Sequence, residues 1–175
     1  MKIDISDIIL NANRKEDYQV EFDDASIVVG GTEYSISKKK PFDLRLNNKD
    51  DQKILISGST EVEIVMQCDR CLNDVRILFP IMIERSLDLR DGHVITDPDE
   101  EEDTFFEDHH LDVNRLIYDE ILVDWPAKVL CKEDCKGLCS VCGHDLNQGD
   151  CGCNRTVLDP RMAKFQDVFN EFKEV

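Results

Sequence analysis

An α+β fold is predicted: an antiparallel β-sheet or partly open barrel with packed helices, followed by a cysteine-rich, zinc-binding C-terminal module. Three observations predict it. Apolar and polar residues alternate over most of the first ninety positions, a helix signature occupies 111–125, and six of the eight cysteines crowd into Cys131–Cys153. The expected layout is a β-rich domain over 1–130, containing an acidic loop at 91–110 and the helix at 111–125. A zinc-binding module and a C-terminal helix then fill 131–175.

Taken in order, residues 2–10 and 18–37 read as strands, because YQVEF and SIVVGGTEYSIS are rich in β-branched and aromatic residues, with Gly30-Gly31 as a two-residue turn. Lys38, Lys39 and Lys40 follow as the one tight basic run. A solvated strand edge is the ordinary reading of such a run, and a phosphate contact the sharper one. The alternation continues from Phe42 to Arg90, with breaks expected at NNKDDQK and around Cys68. Val62, Ile64, Met66 and Cys68 share one face, as do Val75, Ile77, Phe79, Ile81 and Ile83. The two runs form a hairpin whose tip is CDRCLN.

Residues 91–110 are dominated by acid and lack periodicity, so a flexible loop is expected; exposure is the ordinary reading of its His109 and His110, and a place in a metal site the sharper one. In the next segment Asp112 caps a helix on which Val113, Leu116, Ile117, Glu120 and Ile121 trace one face, four of the five apolar. Pro126 fits its end. Near the C-terminus, Asp159 and Pro160 start a helix carrying a stripe of Met162, Phe165, Phe169 and Phe172, which docks internally or on a partner.

The chain begins without a basic segment leading into an apolar run, and no stretch reaches the length of a membrane span. A cytoplasmic location is therefore expected, with no membrane partner. Thiols stay reduced there, which favours a metal site over a disulfide framework. Cys139-Ser-Val-Cys142-Gly143 reads as a zinc knuckle, its glycine allowing the left-handed backbone that turns amides toward sulfur. Cys151-Gly152-Cys153 completes one four-cysteine site with it. Cys131 and Cys135 then remain for Cys68 and Cys71, a second site clamping the hairpin tip to the C-terminal module across about sixty residues. Two zinc ions are expected. One zinc, another partition, or His144 in place of a cysteine are the alternatives.

Four cysteines leave no open coordination position, so such ions would be structural. No H-E-x-x-H, G-x-S-x-G, P-loop or dinucleotide fingerprint occurs, and neither an enzyme nor a small-molecule substrate is expected. The net charge of −17 argues against tight binding to bare nucleic acid and favours a basic partner; eight thiolates with two Zn²⁺ deepen it to about −21.

The chain resembles the YceD family of large ribosomal RNA subunit accumulation proteins. The resemblance rests on CDRCL at Cys68–Leu72, the acidic middle, DEILVDWP, CKEDCKGLCSVCGHDLN, and DPR at Asp159–Arg161. It implies a non-enzymatic factor needed for large-subunit ribosomal RNA to accumulate, often encoded beside a small zinc-containing ribosomal protein. Joined to the charge, it leads to the expectation that the protein escorts a basic large-subunit ribosomal protein, touching rRNA only through Lys38–Lys40, Arg70 and Lys136. A thiol-based redox or metal-responsive regulator is the competing class. A C-x-x-C pair at a hairpin tip speaks against it, because redox pairs use the positive end of a helix to lower a thiol pKa. A direct RNA-binding protein is a third.

Overall fold

In the computed structural model, which describes residues 1–90, 93–95 and 105–154, the chain starts as the strand β1 (Lys2–Asp4) and turns at once into the short helix α1 (Ser6–Leu10). The strand expected through residue 10 is thus corrected after Asp4. Ile5, Ile8 and Ile9 are all buried, and their spacing is helical, not alternating. Asp4 accepts hydrogen bonds from the backbone N–H and the hydroxyl of Ser6, at 2.9 and 2.5 Å, which sets the turn into the helix.

Five strands of regular alternation follow in antiparallel array. They are β2 (Lys15–Val20), β3 (Ser26–Val29), β4 (Thr32–Lys39), β5 (Phe42–Lys49) and β6 (Lys53–Gln67). Gly30 and Gly31 both take positive φ, 59° and 82°, and close the β3–β4 hairpin as expected. The break expected at NNKDDQK shrinks to Asp50–Gln52, because Asn47, Asn48 and Lys49 still pair with β6. Asn48 explains how a polar residue stays in the strand. It is fully buried, donates to the Ile8 carbonyl at 2.8 Å, and accepts from the Asp51 backbone N–H at 3.1 Å.

Strand β7 (Asp74–Arg90) runs beside β6 from Lys53↔Asp88 to Gln67↔Asp74 and ends at β8 (His93–Val94). Because β7 occupies one edge of β6 along its length, β5 and β4 share the other edge, at opposite ends. The seven strands therefore form one antiparallel sheet, its central path running β2-β5-β6-β4-β3. The faces expected from alternation are those observed: Val62, Ile64, Met66, Phe79, Ile81 and Ile83 are buried.

Of the loop expected at 91–110, residues 91–92 and 96–104 lie outside the described residues. The remainder is corrected in part. His93–Val94 is strand, Phe105 is buried, and β9 (Phe106–Glu107) pairs with β10 (His110–Asp112) around a tight turn at Asp108-His109. With β1 these make a three-stranded sheet. Helix α2 (Val113–Val123) starts where expected: the Asp112 carboxylate accepts from the backbone N–H groups of Asn114 and Arg115 at 3.1 and 3.2 Å. Leu111 belongs to β10, so the helix is shorter than 111–125. Its apolar stripe is buried, and Glu120, the one polar member, pairs with Arg85 at 2.7 Å. Trp125 lies edge-on to Tyr34, at 5.0 Å between centroids, and stacks on Phe79 at 5.8 Å.

The chain divides into two compact units: Met1–Gln67 with Asp74–Val129, and Cys68–Asn73 with the chain from Leu130 onward. Among the described residues, the first unit holds both sheets and both helices. No helix among the described residues is long and apolar enough to cross a membrane. The helix expected from Asp159, with its phenylalanine stripe, lies outside the described residues.

Candidate metal centres

The second unit contains all eight cysteines, and its shape begins with two loops of the same design. In the first, the Leu72 N–H donates to the Cys68 carbonyl and the Cys68 N–H to the Asn73 carbonyl, both at 2.9 Å. In the second, the Gly143 N–H donates to the Cys139 carbonyl and the Cys139 N–H to the His144 carbonyl, both at 2.8 Å. Leu72 and Gly143 occupy the same left-handed position after the second cysteine, with φ of 60° and 74°. The sequence marks only the second as a knuckle, through its glycine. A leucine in that conformation carries a cost of roughly 1–2 kcal/mol and gives no such signal.

The other cysteines reach these loops through a hydrogen-bonded scaffold. The Arg70 guanidinium donates to the Cys135 carbonyl at 2.7 Å, and the Arg70 carbonyl accepts from the Leu138 N–H at 3.0 Å. Gly137 is required between them: its φ is +76°, and a Cβ there would lie 2.8 Å from the Arg70 carbonyl oxygen. The Leu146 N–H closes back on the Gly137 carbonyl at 2.9 Å.

These contacts gather the sulfurs into two sets, Cys68, Cys71, Cys131 and Cys135 in one, and Cys139, Cys142, Cys151 and Cys153 in the other. Within each set all four sulfurs lie within 4.8 Å of one another, an arrangement that can hold a metal ion. The Cys71 and Cys131 sulfurs are 3.6 Å apart and those of Cys68 and Cys135 are 3.8 Å apart. All eight thiols are free. The His144 carbonyl accepts from Cys139, and neither His144, His109 nor His110 belongs to either set.

The electrostatics of each set hold some thiols toward the thiolate and others toward the neutral form. Burial works against a thiolate at Cys68, but the backbone N–H groups of Arg70, Cys131 and Cys71 prevail and bring its pKa down to about 6. At Cys139 the amides of Cys142 and Val141 overcome burial in the same way, again to about 6. Cys135 is lowered too: burial opposes, while the Asn147 amide and the Gly137 N–H donate to its sulfur. Neighbouring sulfur raises Cys131 and Cys153. Cys135 drives Cys131 up to about 12, and Cys142 does the same to Cys153. Four sulfurs at this distance cannot all ionise without a cation among them.

Three of the basic residues singled out in the sequence are engaged in the fold. Arg70 serves the cysteine scaffold, Lys40 pairs with Glu61, and the Lys39 ammonium donates to the carbonyls of Asp23 and Asp24 at 3.1 and 3.4 Å.

Residues 56–169 match the model of the family described as large ribosomal RNA subunit accumulation protein YceD. The chain belongs to the YceD family. Uncharacterized proteins of Mycobacterium bovis and Mycobacterium tuberculosis are 28% identical to it over 126 residues, which cover 72% of this chain and 60% of theirs. One of Mycobacterium leprae is 25% identical over 126 residues, covering 72% of this chain and 57% of its own. The chain thus spans about 60% of the length of the curated relatives it matches. No solved structure matches it. The family's name refers to the accumulation of large-subunit rRNA.

Proposed function

We propose that this YceD protein is a non-enzymatic, cytoplasmic assembly factor that supports large-subunit rRNA by binding a basic large-subunit ribosomal protein, on a scaffold held by two structural Zn²⁺ ions. Sulfur spacing supports the metal. With Zn–S bonds of about 2.3 Å, a tetrahedral shell sets its sulfurs roughly 3.8 Å apart. The separations of 3.6 and 3.8 Å fit that shell, and four thiolates are the donor set it prefers. Equal provision in the two sets favours two ions over one.

The observation that carries the choice of partner is the disposition of charge. A chain of net −17 engages Lys39, Lys40 and Arg70 internally, so the cations that would meet phosphate have other work. The same surface attracts a basic protein and can stand in for the phosphate field that protein meets in the ribosome. Lys38 and Lys136 are left as the local points at which rRNA would be touched. Crosslinking with mass spectrometry on assembling ribosomes tests the proposal. Crosslinks from this protein to a basic large-subunit protein are expected. Tight binding to bare rRNA, with no ribosomal protein recovered, overturns it.

A further inference from the structure

We propose that the two cysteine sets are unequal metal sites: Cys68, Cys71, Cys131 and Cys135 retain their ion, Cys139, Cys142, Cys151 and Cys153 exchange theirs with solution, and Asn147 couples the second site to the first. This rests on the metal reading above and extends it to what the ions do.

Accessibility separates the sites. In the first set Cys68, Cys71 and Cys135 are 0%, 3% and 3% exposed and only Cys131 is open. In the second set only Cys139 is buried, Cys142 is exposed, and Cys151 and Cys153 are half-buried. A closed four-thiolate shell loses its metal when an incoming ligand reaches the ion and displaces one sulfur, so the shell that solvent reaches on three sides exchanges faster.

Chain connectivity acts in the same direction. Ligands of the first set come from two stretches, with Cys71 and Cys131 sixty residues apart, and Arg70 ties the stretches together through Cys135 and Leu138. No single local movement frees more than two of them. All ligands of the second set lie within 139–153, and a Cβ at Gly152 would meet nothing within 4 Å. One local opening of 142–153 releases three sulfurs.

Asn147 lies inside that opening stretch, yet its side-chain amide donates to the Cys135 sulfur of the other set at 3.4 Å. The same side chain accepts from the Lys136 N–H at 3.0 Å and donates to the Asp145 carboxylate at 2.7 Å. Asp145 in turn accepts from Asn73, beside the first knuckle, at 3.2 Å. Asn147 thus carries an N–H···S bond from the stretch that bears the outer ligands to the inner site. Asn147 is a positioning residue, and removing such a partner typically costs ten- to hundred-fold in metal affinity.

The test is release of zinc from the fully loaded chain into excess chromogenic chelator, with thiol alkylation read by mass spectrometry during the reaction. Two phases of one equivalent each are expected, about tenfold or more apart in rate. Cys142, Cys151 and Cys153 should label in the fast phase, while Cys68, Cys71 and Cys135 stay protected. Asn147→Ala and Asn147→Asp should both speed the slow phase about tenfold and leave the fast phase alone; the aspartate keeps the size and the acceptor but not the donor. Release in one phase, or early labelling of Cys68 and Cys71, overturns the inequality, and a wild-type slow phase in Asn147→Asp overturns the coupling. A chain that binds no zinc overturns the metal reading and this inference with it, whereas two equivalents leaving together overturn this inference alone.

Discussion

The sulfurs of Cys71 and Cys131 lie 3.6 Å apart although sixty residues separate them in the chain. That distance is well beyond the roughly 2.05 Å of a disulfide and matches two corners of a metal–thiolate tetrahedron. Substituting either cysteine should therefore remove one ion and not both. Cys71→Ser and Cys131→Ser are each expected to purify with about one zinc where the parent holds two, measured by inductively coupled plasma mass spectrometry. Loss of both ions, or of neither, contradicts two separate shells.

Gly137 and Gly143 offer a controlled comparison, since both have positive φ but only Gly137 faces the Arg70 carbonyl. Gly143→Ala should cost about 1 kcal/mol, the left-handed penalty alone. Gly137→Ala should cost about 2–4 kcal/mol, because backbone must also move. Urea titration of the zinc-loaded proteins, followed by metal retention, measures the difference. Equal effects would mean that the Arg70 contact does not hold the scaffold.

Asn48 joins α1 to the β5–β6 turn through one buried and one part-buried hydrogen bond. Asn48→Ala leaves the Ile8 carbonyl and the Asp51 N–H without those partners and should destabilise the first unit by about 1–3 kcal/mol. Trp125, the chain's single tryptophan, packs on Tyr34 and Phe79 in that unit, so its fluorescence in urea reports the change.

Tyr18 gives a pH dependence. Burial and its hydrogen bond to Glu16 raise the phenol to about 12. The folded chain then keeps a proton that the unfolded chain releases near 10. Unfolding therefore becomes easier as pH rises from about 10 to about 12. The stability difference between the parent and Tyr18→Phe should be constant below pH 10 and shift against the parent above it. Thermal melts across that range provide the check, and a difference that does not vary with pH would count against the neutral, hydrogen-bonded phenol.

Much of this protein was legible without coordinates. The alternation of Val62, Ile64 and Met66 against Phe79, Ile81 and Ile83 has one solution, a hairpin with a buried face, because side chains in a strand alternate whatever the strand meets. Asp112 declared the start of α2 because a cap acts within three residues. Eight cysteines in spaced pairs also divided correctly into two sets of four. What depended on distant segments was hidden. Ile8 and Ile9 read as strand until burial made them helix, and Leu72 gave no sign that it shares Gly143's backbone. Lys39, Lys40 and Arg70 looked free because their acceptors lie elsewhere in the chain, and nothing near Asn147 announced the sulfur of Cys135. Local patterning is written by neighbours in sequence. Partners for charge, donors to sulfur and tolerance of a left-handed leucine are settled only when separate stretches meet.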